Sequence, residues 1–305
     1  MILIFGSLNI DLVARVPLIP GPGRTVLAPS YATHYGGKGA NQAVAAARIA
    51  GPGKVFMAGR VGRDAFGDGA LDNLAANGVD TGLVVKSDDP TGCAFITVDP
   101  GGENAITVAS GANMTASATD VPDTFFRADT VLMLQMEVPF AQSLEVARRT
   151  KSASGTVVWN LAPVPEQMTS EMIRDLLAAT DYLLVNEHEA LDAAAAIGFS
   201  MSDFRAAAGK LAKAGDLTCV VTAGAEGAVA ATADDSRLRA PSLNIRPVDT
   251  TGAGDTFVGA FACALDEKAP LQKALEIGCE AAALKCLKAG AQNGMPMRDA
   301  IKSIA

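Results

Sequence analysis

Short apolar runs alternate with longer amphipathic stretches along most of this chain, and few architectures satisfy that order. Residues 55–59, 130–135, 156–160, 182–185 and 219–222 read as strands, and residues 67–77, 140–150, 170–178 and 202–214 as helices. Continuous apolar strands separated by helices predict an α/β fold with a mostly parallel sheet covered by helices. In such a sheet the loops at the carboxyl ends of the strands form the ligand crevice. Glu137, Asn186 and Gly224 fall just after predicted strands, and Asn160 at the carboxyl end of one.

Two regions, about 9–36 and 88–110, break the alternation and are rich in strand and turn signals. The second reads as a hairpin, with strands over 91–98 and 104–109 joined by Asp99-Pro100-Gly101-Gly102. Both regions are expected to be excursions from one domain spanning 1–305, because no internal repeat or long linker interrupts the sequence. With 305 residues, of which 49% are hydrophobic and 19% charged, the chain can bury a large core.

The formal net charge of −8 and the lack of a dense Lys/Arg tract argue against a nucleic-acid partner. The apolar start, Met1 to Phe5, meets Asn9 and Asp11 too early for a signal peptide, and no long apolar span follows. The expectation is a soluble, cytoplasmic protein with no membrane partner. Cys93, Cys219, Cys263, Cys279 and Cys286 are odd in number and lack zinc spacing, so they read as buried small hydrophobes. His34 and His188 read as ordinary loop residues, too far apart in sequence to suggest a zinc site.

The run Asp249-Thr250-Thr251-Gly252-Ala253-Gly254-Asp255-Thr256-Phe257 carries the most specific chemistry. Gly252, Ala253 and Gly254 let backbone approach a ligand, and the apolar residues that follow read as a buried helix whose first turn offers unpaired N–H groups to an anion. A carboxylate at Asp255 would repel a resting phosphate, so its natural task is to take a proton from an attacking hydroxyl. The competing reading is a helix cap. Upstream, Tyr35-Gly36-Gly37-Lys38-Gly39-Ala40-Asn41-Gln42-Ala43 opens another helix. It has neither Walker nor dinucleotide spacing. Close backbone with Lys38 and Asn41 nearby suits sugar hydroxyls, although a surface helix with both residues solvated fits as well.

Together these two segments resemble the signatures of the ribokinase-like (PfkB) carbohydrate kinase family. Four further motifs fall in the family's order: Gly6-Ser7-Leu8-Asn9-Ile10-Asp11, Gln135-Met136-Glu137-Val138-Pro139, Asn186-Glu187-His188-Glu189 and Thr222-Ala223-Gly224-Ala225-Glu226-Gly227. The resemblance implies a three-layer α/β/α sandwich with a small β-sheet lid, formed by the two excursions. It also implies transfer of the ATP γ-phosphoryl group to a sugar hydroxyl, and the Gly-Gly-Lys-Gly-Ala-Asn-Gln-Ala form is most similar to the branch that phosphorylates O5 of D-ribose. Another sugar or a nucleoside is the alternative within the family, and a non-catalytic sugar sensor the alternative outside it.

Position by position, the resemblance gives Asp255 as base, with the backbone N–H groups from Gly252 to Asp255 as the anion hole. Asn9, Asp11, Gly37, Lys38, Gly39, Ala40, Asn41 and Glu137 become sugar contacts. The nucleotide contacts are Asn186, Glu189, Gly254, Cys279 and the loop Thr222, Ala223, Gly224, Ala225, Glu226 and Gly227, with Asn186 and Glu189 helping to place Mg2+ through water. A homodimer through the lid is the expected assembly. The resemblance further implies a monovalent cation held by Asp249 and the carbonyls of Thr251, Lys285, Lys288 and Gly290. Where a serine is common, this chain has Gly294, so potassium is expected to activate less tightly. The rival explanation is that a lysine ammonium supplies the charge and no ion binds.

Overall fold

The computed structural model describes residues 1–165 and 167–304. Its strands are β1 (Ile2–Phe5), β2 (Asn9–Arg15), β3 (Tyr31–Gly36), β4 (Val55–Gly62), β5 (Asp80–Ser87), β6 (Gly92–Val98), β7 (Asn104–Ala109), β8 (Val131–Leu134), β9 (Thr156–Asn160), β10 (Tyr182–Asn186), β11 (Thr218–Thr222), β12 (Ala228–Ala231) and β13 (Arg237–Ala240). The main helices are α1 (Lys38–Ala50), α2 (Ala65–Ala76), α3 (Phe140–Ser152), α4 (Ser170–Ala178), α5 (Glu187–Ala196), α6 (Phe204–Gly215), α7 (Ala253–Asp266) and α8 (Leu271–Lys285).

Nine strands form the central sheet in the order β13-β12-β11-β10-β9-β8-β1-β4-β5. Pairing is parallel from β11 to β5, and the β11–β12 and β12–β13 pairs are antiparallel because β12 alone is reversed. Side-chain alternation divides the core between the two faces. Ile2, Ile4, Val131, Met133, Val158, Leu184 and Val220 pack beneath α1, α7 and α8, while Leu3, Phe5, Leu132, Leu134, Trp159, Leu183 and Val221 pack against α3 to α6. Strands apolar at every position therefore bury both faces, which produces the three-layer α/β/α sandwich.

β1 pairs with β4 on one side and β8 on the other, so chain order reverses there and a crevice opens beyond its carboxyl end. From that crevice rises a second sheet of four strands, ordered β3-β2-β6-β7. The expected hairpin is β6–β7, turned at Gly102 with φ +86°. The sequence reading missed β5 and the antiparallel hairpin of β12 and β13 at the other margin of the sheet. Charged residues interrupt β5 and β13, and β12 is only four small apolar residues, so their assignment depends on neighbours supplied by the sheet. Among the described residues no helix is long and apolar enough to cross a membrane. All five cysteines are free and buried. The histidines are not loop residues: His34 lies in β3 and His188 in the first turn of α5, which starts at once after Asn186 caps it.

Candidate active site

Helix α7 starts with Gly252 in the left-handed region at φ +76°, where a side chain would be strained, and its Cβ would sit 3.0 Å from Ala291 Cβ. Asp255 is 8% exposed. Its carboxylate caps nothing. Oδ2 accepts from Asn41 Nδ2 at 3.0 Å and Oδ1 from Gln42 Nε2 at 3.1 Å. These neutral amides satisfy and orient the carboxylate without neutralising its charge. The chain of amides continues: Asn41 Oδ1 accepts from Gln292 Nε2 at 3.0 Å, Gln292 Oε1 from Asn73 at 2.7 Å, and Gln42 Oε1 from Gln135 at 2.7 Å. Gln42 also donates to Asn160 Oδ1 at 3.0 Å.

The contact that creates this network is close packing of α1 on α7. A Cβ on Gly259 would lie 2.7 Å from Ala45 Cβ and 2.9 Å from Ala46 N, so the alanine-rich helix meets α7 nearly backbone to backbone. Of the expected anion hole, Ala253 N is already spent on the Thr250 carbonyl at 3.0 Å, closing the turn into α7, whereas the N–H groups of Gly254 and Asp255 have no acceptor among the described residues. A Cβ on Gly254 would meet nothing within 4 Å, so its missing side chain leaves open space in front of those donors. The helix dipole adds to the pull on an anion there.

The segment 36–41 is fixed by crossing the loop after β1. Gly37 has φ +85°, and a Cβ on Gly39 would strike Ser7 N at 2.6 Å, while Ala40 N donates to the Ser7 carbonyl at 2.9 Å. Glu137 Oε2 accepts from Ser7 Oγ at 2.5 Å and Lys38 N at 2.9 Å, which ties the end of β8 to the same loop. Asn9 Oδ1 accepts from Asn113 Nδ2 at 2.7 Å, leaving the Asn9 amide nitrogen without an acceptor among the described residues.

Asp11 has no hydrogen-bond donor among the described residues. Burial, reinforced by the charges of Glu137 and Asp255, pushes its carboxyl up to about 6. Gly36 makes room for it, since a Cβ there would fall 2.4 Å from Asp11 Oδ2. Burial disfavours the Lys38 ammonium, but Asp255, Glu137 and Glu189 outweigh that and raise it above the usual lysine value. One cation thus faces several carboxylates at the mouth of the crevice.

Two cavities meet beside α7. The larger, about 720 Å³, is lined by Thr222, Gly224, Ala225, Gly227, Leu243, Phe257 and Cys279 among others, and the smaller, about 160 Å³, by Lys38, Asn160, Glu189, Gly252 and Asp255 among others. Both are bounded by Asn186, Thr222 and Gly254, and the larger has the size of a small-molecule site. A third, more open depression of about 730 Å³ lies at the amino ends of β9 to β11, around Thr156, Tyr182 and Thr218. That is the wrong end of a parallel sheet for a ligand crevice.

The structure separates some of the expected nucleotide contacts. Ala223 is buried in the core, and Glu226 pairs with Arg205 at 2.5 Å; neither lines the larger cavity. A six-residue turn cannot direct every side chain inward, and its backbone is what faces the cleft. Cys279 does line it, with burial pushing its thiol up to about 12. Asn186 and Glu189 form a reciprocal capping box on α5, at 2.7 and 2.8 Å. Burial raises the Glu189 carboxyl. The described residues contain no cluster of three or more His, Cys, Asp or Glu side chains suited to a metal.

The Asp249 loop is closed on itself. Asp249 Oδ1 accepts from Thr251 N at 2.9 Å and Oδ2 from Gly290 N at 2.8 Å, and these bonds outweigh burial to lower its carboxyl. Lys285 is wholly buried and donates from Nζ to the Asp249 carbonyl at 2.7 Å, whereas Lys288 is exposed. Ser7, Gln42, Asn113, Gln135 and Gln292 also belong to the site but were not selected from sequence. Ser7, Gln42 and Gln135 lie within quoted motifs, while Asn113 and Gln292 carry no local signal.

The family model for pfkB family carbohydrate kinases matches residues 1–298. The chain belongs to the pfkB carbohydrate kinase family. Ribokinase from Bacillus subtilis is 37% identical over 309 residues, covering 99% of this chain and 98% of that one. Ribokinase from Thermotoga maritima superposes with a TM-score of 0.91 at 32% identity, covering 99% and 98% of the two chains. An Arabidopsis thaliana ribokinase structure, complexed with ribose and ATP, gives 0.86 at 29% identity, covering 98% and 96%. This pfkB-family chain therefore shares its fold with these ribokinases over nearly its whole length.

Proposed function

We infer that this pfkB-family kinase transfers the γ-phosphoryl group of ATP to O5 of D-ribose. The observation that carries the reading is the position of Asp255: an amide-held carboxylate in the first turn of α7, beside the open face of Gly254 where two cavities meet. Full-length similarity to ribokinases, one of them complexed with ribose and ATP, supports the substrate pair. Asn9, Asp11, Lys38, Asn41 and Glu137 would contact the sugar, with Gly37, Gly39 and Ala40 shaping the loop. Asp11 offers two acceptor oxygens lacking donors among the described residues, which suits paired hydroxyls.

In the reaction, O5 attacks the γ-phosphorus in line while Asp255 takes its proton, the bond to the bridging β,γ oxygen breaks, and ADP leaves. The free N–H groups of Gly254 and Asp255 would stabilise the equatorial phosphoryl oxygens. The nucleotide would lie along Thr222, Gly224, Ala225 and Gly227, near Cys279. Glu189 and Asn186, with phosphate oxygens and water, suit Mg2+, which takes few protein ligands and would neutralise charge on the phosphates. The sheet β3-β2-β6-β7 would act as a lid excluding water, a competing acceptor. Its two unpaired edges and the exposed Phe95, Ile106 and Val108 support a homodimer through it. A cytoplasmic location completes the reading.

A coupled assay across ribose, 2-deoxyribose, fructose, ribulose and adenosine tests it. Ribose should exceed adenosine in kcat/KM by at least about tenfold. The reverse ranking would overturn the ribose assignment while sparing the kinase.

A further inference from the structure

The cation loop does not fit a potassium ion. Lys285, the last residue of α8, is wholly buried, and its Nζ donates to the Asp249 carbonyl at 2.7 Å while standing 4.0 Å from Asp249 Oδ1. The ammonium therefore lies beside Asp249, the one carboxylate among the expected ion ligands. Gly294 makes this possible. A Cβ there would fall 2.9 Å from the Lys285 carbonyl oxygen, 3.2 Å from Lys285 Cε and 3.3 Å from the Lys288 carbonyl oxygen. A serine at 294 would thus press its side chain against the lysine stem. Lysine at 285 and glycine at 294 are a matched pair.

A primary ammonium carries the same single charge as potassium and, like it, takes carbonyl and carboxylate oxygens; its hydrogen bonds to such oxygens run to about 2.7–2.9 Å. Asp249 also holds Thr251 N and Gly290 N, so a cation at this point fixes the loop leading into Gly252 and Asp255. A second cation in the same loop would face the first at short range, with the carboxylate already engaged.

We propose that the Lys285 side chain replaces the monovalent cation, as a tethered ammonium that orders the 249–255 loop, and that the protein neither binds nor needs potassium there. Lys285 is a positioning residue, since it touches the loop and not the reacting atoms. The effect on turnover rests on the kinase reading, while the effect on ion binding does not.

The test compares melting temperature and turnover in potassium chloride and in tetramethylammonium chloride at equal ionic strength. For the wild-type chain both should be unchanged. Activation by about threefold or more, or a potassium-dependent rise in melting temperature, would overturn the proposal. Lys285→Ala in potassium-free buffer should lose about tenfold or more in kcat with little change in KM for the sugar. Potassium or ammonium ions should restore turnover and raise the variant's melting temperature; no response to either ion would also overturn the proposal. Gly294→Ser alone should lower the melting temperature, and in the Lys285→Ala background it should sharpen the potassium response. An unchanged melting temperature for Gly294→Ser would refute the pairing of the two residues. Should Lys285→Ala fail to fold, the wild-type and Gly294→Ser measurements decide. Absence of kinase turnover with every sugar would count against the functional reading alone, because melting still reports whether potassium binds.

Discussion

Replacing Asp11 by Asn should make the folded chain more stable and the kinase nearly useless for its sugar. Asp11 is a carboxylate without a hydrogen-bond donor among the described residues, pushed from an ordinary 3.8 up to about 6 by burial and by Glu137 and Asp255. At about 1.36 kcal/mol per pH unit, that difference corresponds to a ceiling of about 3 kcal/mol held against folding at neutral pH. Partial exposure lets water screen the charge, and about 1–2 kcal/mol is the expected gain in Asp11→Asn. With an unfolding entropy near about 2.1 cal/mol/K per residue, a chain of this length should melt about 2–3 °C higher.

The sign follows from linkage. The folded carboxyl holds its proton more tightly than the unfolded one, so wild-type stability falls as pH rises from 3.8 through about 6. The advantage of Asp11→Asn should therefore be full at pH 8, shrink to about half at pH 5, and vanish below the unfolded value. Losing an ionised acceptor for two sugar hydroxyls should meanwhile raise KM for ribose at least about a hundredfold. Thermal melts at both pH values, with and without ribose, together with steady-state kinetics, read every arm. A variant that melts lower than wild type at pH 8 would refute the electrostatic account, and an unchanged KM would remove Asp11 from the sugar site.

Asp255→Asn should lower kcat at least about a hundredfold while ATP affinity, measured by calorimetry, changes little; near-normal turnover would make the carboxylate structural. Gly254→Ala adds a Cβ with nothing within 4 Å, so melting should be unchanged or slightly higher, yet kcat/KM for ATP should fall at least about tenfold. Normal kinetics there would show that the open face of α7 is not the phosphoryl site. Gln292→Leu leaves Asn41 Oδ1 and Asn73 Nδ2 unpaired, which should cost about 1–3 kcal/mol and, by freeing Asn41 to turn, several-fold in kcat. Lower stability with unchanged kcat would mean that the amide chain holds the fold without orienting Asp255.

The helices 140–150 and 170–178 and the strand 156–160 were legible in the sequence because burial of a strand or a helix face leaves a local period. The two glycine-rich loops were legible for a similar reason, since a left-handed turn or a close backbone crossing demands glycine at one position. The marginal hairpin strands β12 and β13 were not, because a short strand at the sheet margin takes its identity from the partner it pairs with.

Within the site, the motifs singled out Asp255 and Lys38, and the family resemblance Asp11, but not their electrical state. Asp11 has no donor among the described residues and is raised because the fold buries it and brings Glu137 and Asp255 near it, and neither burial nor those distances exist until the sheet has formed. The amides that orient Asp255 come from positions 214 and 213 residues away, joined through the close contact of α1 and α7. Lysine at 285 and glycine at 294 likewise left two explanations open in the sequence. The proposal for Lys285 rests on side-chain direction: whether a lysine at a helix end reaches solvent or turns into a loop is set by packing, which no local period records.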